Sequence, residues 1–522
     1  MAITTNSAPP CRRNCARRRL PALVMLCLPL ALQSAFAEDW KFHPGIDVKE
    51  TYSDNVGLSS DGGHAGAFVT ELMPHLTLNG RGRHLVVALD YAPDLIFYSR
   101  SDNGTELLQN LRGTLQAELV EDLLYVDANA AISQQSSDIF GAPVIDNYSS
   151  PSNRSQARTL TLSPYLKHRF GNFAQGELRY ARDRTSSSNS GLSNTNDDRE
   201  SFALNSGTDF HTLTWGLTGS HQKIDFAGSP TVQIATYSGN ARYLLIPTFA
   251  LTATVGHEKY DYDALTNPPV GRFYSGGFAW HPSQRTAIEA EVGHRFYGRT
   301  YMLSASQRAR QSAWMLAYNE DISTTQQKLA ADDSFNTEKF LERLYRTALP
   351  DAAVRKAYVD ALIRETGLPA NVATALNTTS NRFFLEKSLR ASYAFNGVHN
   401  TVILTAVESL RRAQSKSNVD PALINAGANF RDDSNTRQLG LQALWNWRLT
   451  SVIDANFTLG TTRVHADDSD FEVRTKTARA TLSKQMTSHM KASIELSRIH
   501  QNNSDGANID QNAIAAVLST QY

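Results

Sequence analysis

The chain has 522 residues, 51 basic and 51 acidic side chains, three cysteines and a mean hydropathy of −0.37. Electrical balance excludes a strongly basic nucleic-acid binder, and no run of 18 apolar residues follows position 37, which excludes helical membrane spans. A polar average is still compatible with a membrane protein that turns only alternate side chains to lipid.

The chain opens on Arg12, Arg13, Arg17, Arg18 and Arg19, the apolar run Leu20 to Leu32 and the small-residue site Ala35-Phe36-Ala37. This is the order of a cleaved secretory leader, with cleavage expected after Ala37 and the mature chain starting at Glu38. The run is too short to span a bilayer as a helix. Leu26 before Cys27 speaks against lipid modification, and the arginine cluster lacks the usual surroundings of a twin-arginine signal. Cys11, Cys15 and Cys27 all precede the cut, so no disulfide framework and no thiolate metal site is expected beyond it. The five leader arginines go with the leader, leaving 46 basic against 51 acidic residues, a net charge of about −5 that argues again against nucleic acid.

From Ile46 onward apolar and polar residues alternate with period two. Leu85, Val87, Leu89 and Tyr91 open the series; Phe249, Leu251, Ala253, Val255, then Tyr274, Phe278, Trp280, then Ile288, Ala290, Val292, Phe296 continue it. Leu439, Leu441, Ala443, Trp445, Trp447 and Leu449 alternate with Gln438, Gln442, Asn446 and Arg448, and Ile453, Ala455, Phe457 and Leu459 with Asp454, Asn456 and Thr458. One face meets an apolar medium and the other water.

Three features separate a membrane barrel from a soluble sandwich. The segments have the length of about 9–11 residues that a tilted membrane strand needs. Tight turns at Asn79-Gly80-Arg81-Gly82, Glu121-Asp122, Gly171-Asn172, His281-Pro282-Ser283, Asn396-Gly397 and Thr487-Ser488 alternate with long polar stretches, Ser136 to Ser155, Thr185 to Asp198 and Gln414 to Asn435, as on the two rims of an outer-membrane barrel. The last segment, Ile514, Ala516, Leu518, Thr520, Tyr522, carries alternation to an aromatic end, which resembles the signal read by the outer-membrane insertion machinery; Leu518 and Tyr522 carry it. The expected fold is all-β, a transmembrane antiparallel barrel of about 22 strands over residues 38–522, both ends on the periplasmic rim.

One segment, about Thr324 to Thr379, breaks the pattern. Asn336 is placed to cap a helix with Phe340, Leu341, Leu344 and Tyr345 at helical spacing. A second helix carries Val354, Ala357, Tyr358 and Leu362 and stops at Gly367 and Pro369. This helical insertion either caps the barrel outside or plugs the lumen.

The water-facing parity places Asp90, Asp94, Lys167, Arg169, Glu177, Arg179, Glu289, Glu291, Arg295, Arg448 and Asp454 on the lumen wall, where mixed charge either tunes which solutes pass or pairs across strands and stiffens the wall. Trp445 and Trp447 read as interface belt rather than as a sugar-stacking platform. His211, His257, His294 and His465 stand among many serines and acids as the candidate catalytic groups. His257 and His294 share the parity of outward apolar residues, and neither an H-E-x-x-H nor a G-x-S-x-G pattern occurs. No enzyme, catalytic residue, metal or cofactor is expected.

The stretch Ile46-Asp47-Val48-Lys49-Glu50-Thr51-Tyr52-Ser53-Asp54-Asn55-Val56, and Arg295-Phe296-Tyr297-Gly298-Arg299-Thr300-Tyr301 followed by Trp314, Tyr318, Asn319, Glu320 and Asp321, resemble the outer-membrane β-barrel proteins associated with the PEP-CTERM system. That resemblance, over most of the chain past the leader, implies a Gram-negative barrel encoded beside exopolysaccharide synthesis and export genes. The expected function is a porin-like conduit tied to exopolysaccharide export or assembly; the alternative is a scaffold barrel whose loops bind an envelope partner or the polymer. Expected partners are outer-membrane lipid, the insertion machinery, and exopolysaccharide or export-complex proteins, with no nucleic acid.

Overall fold

The computed structural model describes residues 40–60, 66–100, 104–136, 138–149, 153–188, 194–227, 230–262, 264, 269–324, 327, 341, 342, 345, 355, 356, 358, 359, 382–415 and 435–522. The leader with its Ala37 site lies outside them, as do Asn336, Phe340, Leu344, Val354, Ala357, Leu362, Gly367, Pro369 and most of the stretch from Gln414 to Asn435.

Alternation becomes strand throughout. The first eleven are β1 (Trp40–Ser53), β2 (Ala67–Arg81), β3 (Leu85–Tyr98), β4 (Thr105–Val120), β5 (Leu124–Ser136), β6 (Arg154–Phe170), β7 (Ala174–Ser187), β8 (Thr195–Ser206), β9 (Leu213–Phe226), β10 (Val232–Ile246) and β11 (Phe249–Asp261). The second eleven are β12 (Val270–Ser283), β13 (Thr286–Arg295), β14 (Gly298–Arg308), β15 (Ser312–Ser323), β16 (Phe384–Asn396), β17 (Asn400–Ala413), β18 (Asn435–Arg448), β19 (Ile453–Ala466), β20 (Phe471–Gln485), β21 (Met490–Asn503) and β22 (Asn508–Gln521). Each pairs antiparallel with its sequence neighbours, and β1 pairs with β22 from Gly45↔Gln521 to Ser53↔Ala513, closing a single 22-stranded sheet.

Closure is what makes this sheet a membrane protein. Leu217, Val255, Tyr274, Val292, Leu404, Leu459 and Ile494 all point outward and are exposed, while the alternate positions carry polar groups to the inside. Such a surface is stable only against lipid, and only a closed ladder satisfies the backbone there. The chain is an outer-membrane β-barrel.

At the closing seam the backbones of β1, β2 and β22 crowd together. A Cβ on Gly45 would stand 2.2 Å from the His75 ring and 2.4 Å from the Thr520 carbonyl oxygen, so only glycine fits. Tyr522 finishes the seam: its N–H donates to the Pro44 carbonyl at 2.9 Å and its ring stacks on His489 at 5.7 Å.

One rim carries both barrel ends and only short turns; the opposite rim carries the connections 137–153 and 324–383. Two turns predicted from sequence lie farther on. Asn79, Gly80 and Arg81 belong to β2, and His281, Pro282 and Ser283 to β12. Likewise Thr185–Ser187 and Thr195–Asp198, read as loop, are strand ends. The strands run 10 to 17 residues, most of them longer than a bilayer crossing requires, and the extra ends carry polar side chains on both faces, which removes the alternation that marks them.

Candidate functional site

The eleven charged positions expected inside do not form one site; they fall into separate groups along the wall. Arg179 donates to Asp127, Glu177 and Ser163, each at 2.9 Å, and lies over the Tyr165 ring at 3.7 Å. Lys167 stands 3.7 Å from Glu177 and 5.0 Å from the same ring, with exposed Arg169 beyond it toward the rim. Arg295 pairs with Glu258 at 2.5 Å and Asp321 at 3.0 Å. Glu291 accepts from Ser275 at 3.1 Å, and Glu289 lies 3.7 Å from His281. Asp90 accepts from Thr77 at 3.1 Å, and Arg448 faces Asp454 in register at the short-turn rim. His257 and His294 stand on the exposed outer face, His294 stacked on Tyr274.

Two seams in the wall part before they reach the long-loop rim, and they organise what enters the lumen. Between β4 and β5 the register runs only from Leu111↔Ile132 toward the short-turn rim; residues 105–110 and 133–136 have no register partner across it, although the Gln134 side chain donates to the Gln109 carbonyl at 3.2 Å. Between β14 and β15 it runs only from Leu303↔Tyr318 to Arg308↔Ala313, leaving 298–302 and 319–323 unpaired across the seam. The two seams are ten strands apart, nearly opposite in a 22-stranded ring.

At both, the hairpin that follows the seam leans inward, under the strand it has left. Arg154, on the outward parity of β6, is buried and pairs with Glu106 on the inner face of β4. At the second seam Ile322 and Leu385 have the outward parity of β15 and β16, yet they join a buried cluster with the inward residues Ile224, Phe226, Ile234 and Tyr260. The Tyr297 hydroxyl donates to the Glu320 carbonyl at 3.5 Å across the gap. Gly298 makes the turn beneath with φ 117°, a value that favours glycine.

Each leaning hairpin delivers its long connection into the lumen. The β5–β6 connection combines an apolar seat with a polar clamp: Phe140 is buried with Val464, Phe471 and Val473, and Tyr148 with Val69, Ile96 and Leu108. Asp146 pairs with Arg479 at 2.5 Å, and Arg479 with Glu495 at 3.2 Å. Asn147 donates to Asp94 at 2.8 Å, Tyr98 to the Tyr148 carbonyl at 3.2 Å and Gln501 to the Gly141 carbonyl at 3.3 Å. Lys49 lies 3.4 Å from Glu71 and 5.4 Å from the Tyr148 ring. Burial pushes the Asp146 carboxyl up, but Arg479 and Lys49 outweigh it and hold it below the ordinary carboxylate value.

The β15–β16 connection is held by apolar groups. Its described residues 327, 341, 342, 345, 355, 356, 358 and 359 are helical. Leu341, Tyr345 and Val359 are buried in one cluster with the inward residues Ala313, Ala394, Ile403 and Leu444. Near the long-loop end Gln327 donates to Gln222 at 3.2 Å; near the short-turn end the Tyr345 hydroxyl meets Thr401 at 3.3 Å. The segment therefore reaches down most of the lumen.

Lys49, Glu71, Glu258, Arg479 and Glu495 are not among the lumen residues named from the sequence. All five share the inward alternation of the expected residues, so that signal was available, but alternation names a face and not a partner. Among the described residues no group of three or more His, Cys, Asp or Glu is placed to hold a metal ion.

No family model matches the chain, and no curated protein sequence does. Solved structures similar to it include the siderophore receptor PirA from Pseudomonas aeruginosa, 10% identical over 92% of this chain and 80% of that one with a TM-score of 0.45. The PirA receptor from Acinetobacter baumannii is 7% identical over 93% and 81%, with a TM-score of 0.45. The FrpB iron transporter from Neisseria meningitidis is 9% identical over 94% and 82%, with a TM-score of 0.48. Likeness this distant says nothing about cargo.

Proposed function

We propose that this barrel is a gated conduit for polar solutes, closed at rest by its two in-folded connections. The observation that carries the reading is the depth of the β15–β16 segment, which reaches Thr401 beside the short-turn rim. A barrel of 22 strands is wide enough to need such a filling, and a wall of mixed charge suits a polar cargo.

The finer reading is that the cargo is polysaccharide, in keeping with the resemblance to barrels encoded beside exopolysaccharide genes. Planar-bilayer recording tests both levels. The intact protein should be silent or nearly so, and a variant with Thr324–Thr379 replaced by a short turn should conduct in steps. Absence of steps from that folded variant would overturn the conduit and favour the scaffold alternative. Neutral polysaccharide fragments should then block the open variant according to length; block by small electrolytes and none by saccharides would remove the polysaccharide cargo and leave the conduit.

A further inference from the structure

We propose that the outer wall over β15–β21 is a docking site for a phosphorylated, multiply acylated glycolipid of the surrounding outer leaflet. The site is independent of what passes through the lumen.

Its upper part is a row of cations on the lipid-facing parity, just above the apolar band. Arg437 stands directly above Leu439 and Leu441 on β18; Arg463 above Leu459 on β19; Arg474 and Lys476 above Ala478 on β20; Arg498 above Leu496 and Ile494 on β21. The four arginines are each more than half exposed.

Three carboxylates serve these five cations. Arg437 pairs with Glu408 at 2.6 Å, Arg463 and Arg474 share Glu472, and Arg498 lies 3.8 Å from Asp510. Lys476 has no ion-pair partner among the described residues. Sharing Glu472 fixes two guanidinium groups side by side. Each guanidinium has five N–H donors, so donors remain on both for a third, multidentate acceptor, and phosphate has that geometry. Asp467, Asp468 and Asp470 lie one step farther from the membrane, in the β19–β20 turn around His465 and Asn435, and leave the balance within the row positive.

Its lower part is a groove of about 640 Å³ on the same face. Trp314, Tyr393, Leu404 and Leu441 wall it, and Ala406 and Ala443 leave it open. The rows of register partners join the two parts. Ala406↔Leu441, Leu441↔Thr461 and Thr461↔Lys476 lead from groove to cation, and Ala443↔Leu459, Leu459↔Ala478 and Ala478↔Arg498 do the same. An acyl chain lying in the groove therefore places its head group at the arginine row.

The neighbouring face, across β22, marks where the row ends. At the same strand ends the outward residues of β1–β4 are Glu50, Tyr52, Phe68, Thr70, Phe97, Thr105 and Leu107, with no cation among them. Ionic attraction to anionic lipid adds up over each surface Lys or Arg. The β18–β21 face should therefore hold such a lipid while the β1–β4 face holds none.

The test uses the full barrel folded in neutral detergent, with bound lipid counted by native mass spectrometry. The probes are a bisphosphorylated hexa-acyl glycolipid, its dephosphorylated counterpart and inorganic phosphate. The intact barrel should retain the first and neither of the others. Arg463→Gln/Arg474→Gln/Lys476→Gln should bind it roughly a hundredfold more weakly. A control stripping Arg182, Arg184 and Lys223 from the outer ends of β7 and β9 should bind normally, and Ala443→Leu in the groove should lower retention with the cation row intact. Heat-modified gel mobility confirms that each variant is folded. Equal retention of the dephosphorylated lipid, equal loss in the control, or competition by phosphate alone at similar concentration would each overturn the proposal.

Discussion

The β5–β6 and β15–β16 connections enter one lumen from opposite sides by the same device, a hairpin that has parted from the strand before it; both bury apolar side chains against the wall, and the first adds a buried charged clamp. The first seats Phe140 and Tyr148 on apolar wall residues and is clamped in addition by Asp146–Arg479, Asn147–Asp94 and backbone carbonyls. The second is seated by Leu341, Tyr345 and Val359 on small and branched wall residues. A charged clamp is directional and loses its hold when one partner goes; an apolar seat is non-directional and weakens in proportion to the area removed. One barrel thus carries two fillings that should respond to different stimuli.

The largest expected effect comes from removing each filling in turn. Excision of 138–152 should raise conductance far less than replacement of Thr324–Thr379, because only the latter reaches the short-turn rim; equal effects would show that the polar connection is the main barrier. Next is Arg479→Gln, which leaves Asp146 and Glu495 buried without their cation. Breaking a buried pair from one side costs about 3–5 kcal/mol, so amide exchange over 138–149 should rise steeply while exchange at Leu341 and Tyr345 does not change. Leu341→Ala should do the converse, at about 2–5 kcal/mol for a buried leucine, read as protease cleavage within 324–383 with the Asp146 clamp intact. The smallest effect is that of salt. Raising it to about 1 M shortens the screening length to about 3 Å, which should loosen 138–149 slightly and leave the apolar seat unchanged in the same exchange experiment.

Much of the barrel was legible because its medium imposes a period. Leu439 to Leu449 and Ile453 to Leu459 must turn alternate side chains to lipid, so their strands, faces and number could be read without partners. Strand ends such as Thr185–Ser187 were missed because both of their faces carry polar side chains, Thr185 being buried among polar partners rather than against lipid. The lumen groups were legible only as a face: Arg179 and Arg295 were expected inside, but that Arg179 would find Asp127 and Arg295 would find Glu258 depends on register between strands. The seams were illegible for a stronger reason. Arg154, Ile322 and Leu385 follow the outward parity of their strands and are nevertheless buried, since the whole hairpin has moved inside its neighbour. Helical spacing around Leu341 and Tyr345 announced a helix, but whether it would stand outside or descend depended on Ala313, Ala394 and Leu444, far away in sequence.

The incomplete seams also bear on the shape of the mouth. A cylinder stitched to full height around its circumference can widen only by tearing hydrogen bonds that lipid will not replace. This one is left unstitched along two nearly opposite lines, so its outer opening can flex like the frame of a purse while the girth of its base stays constant.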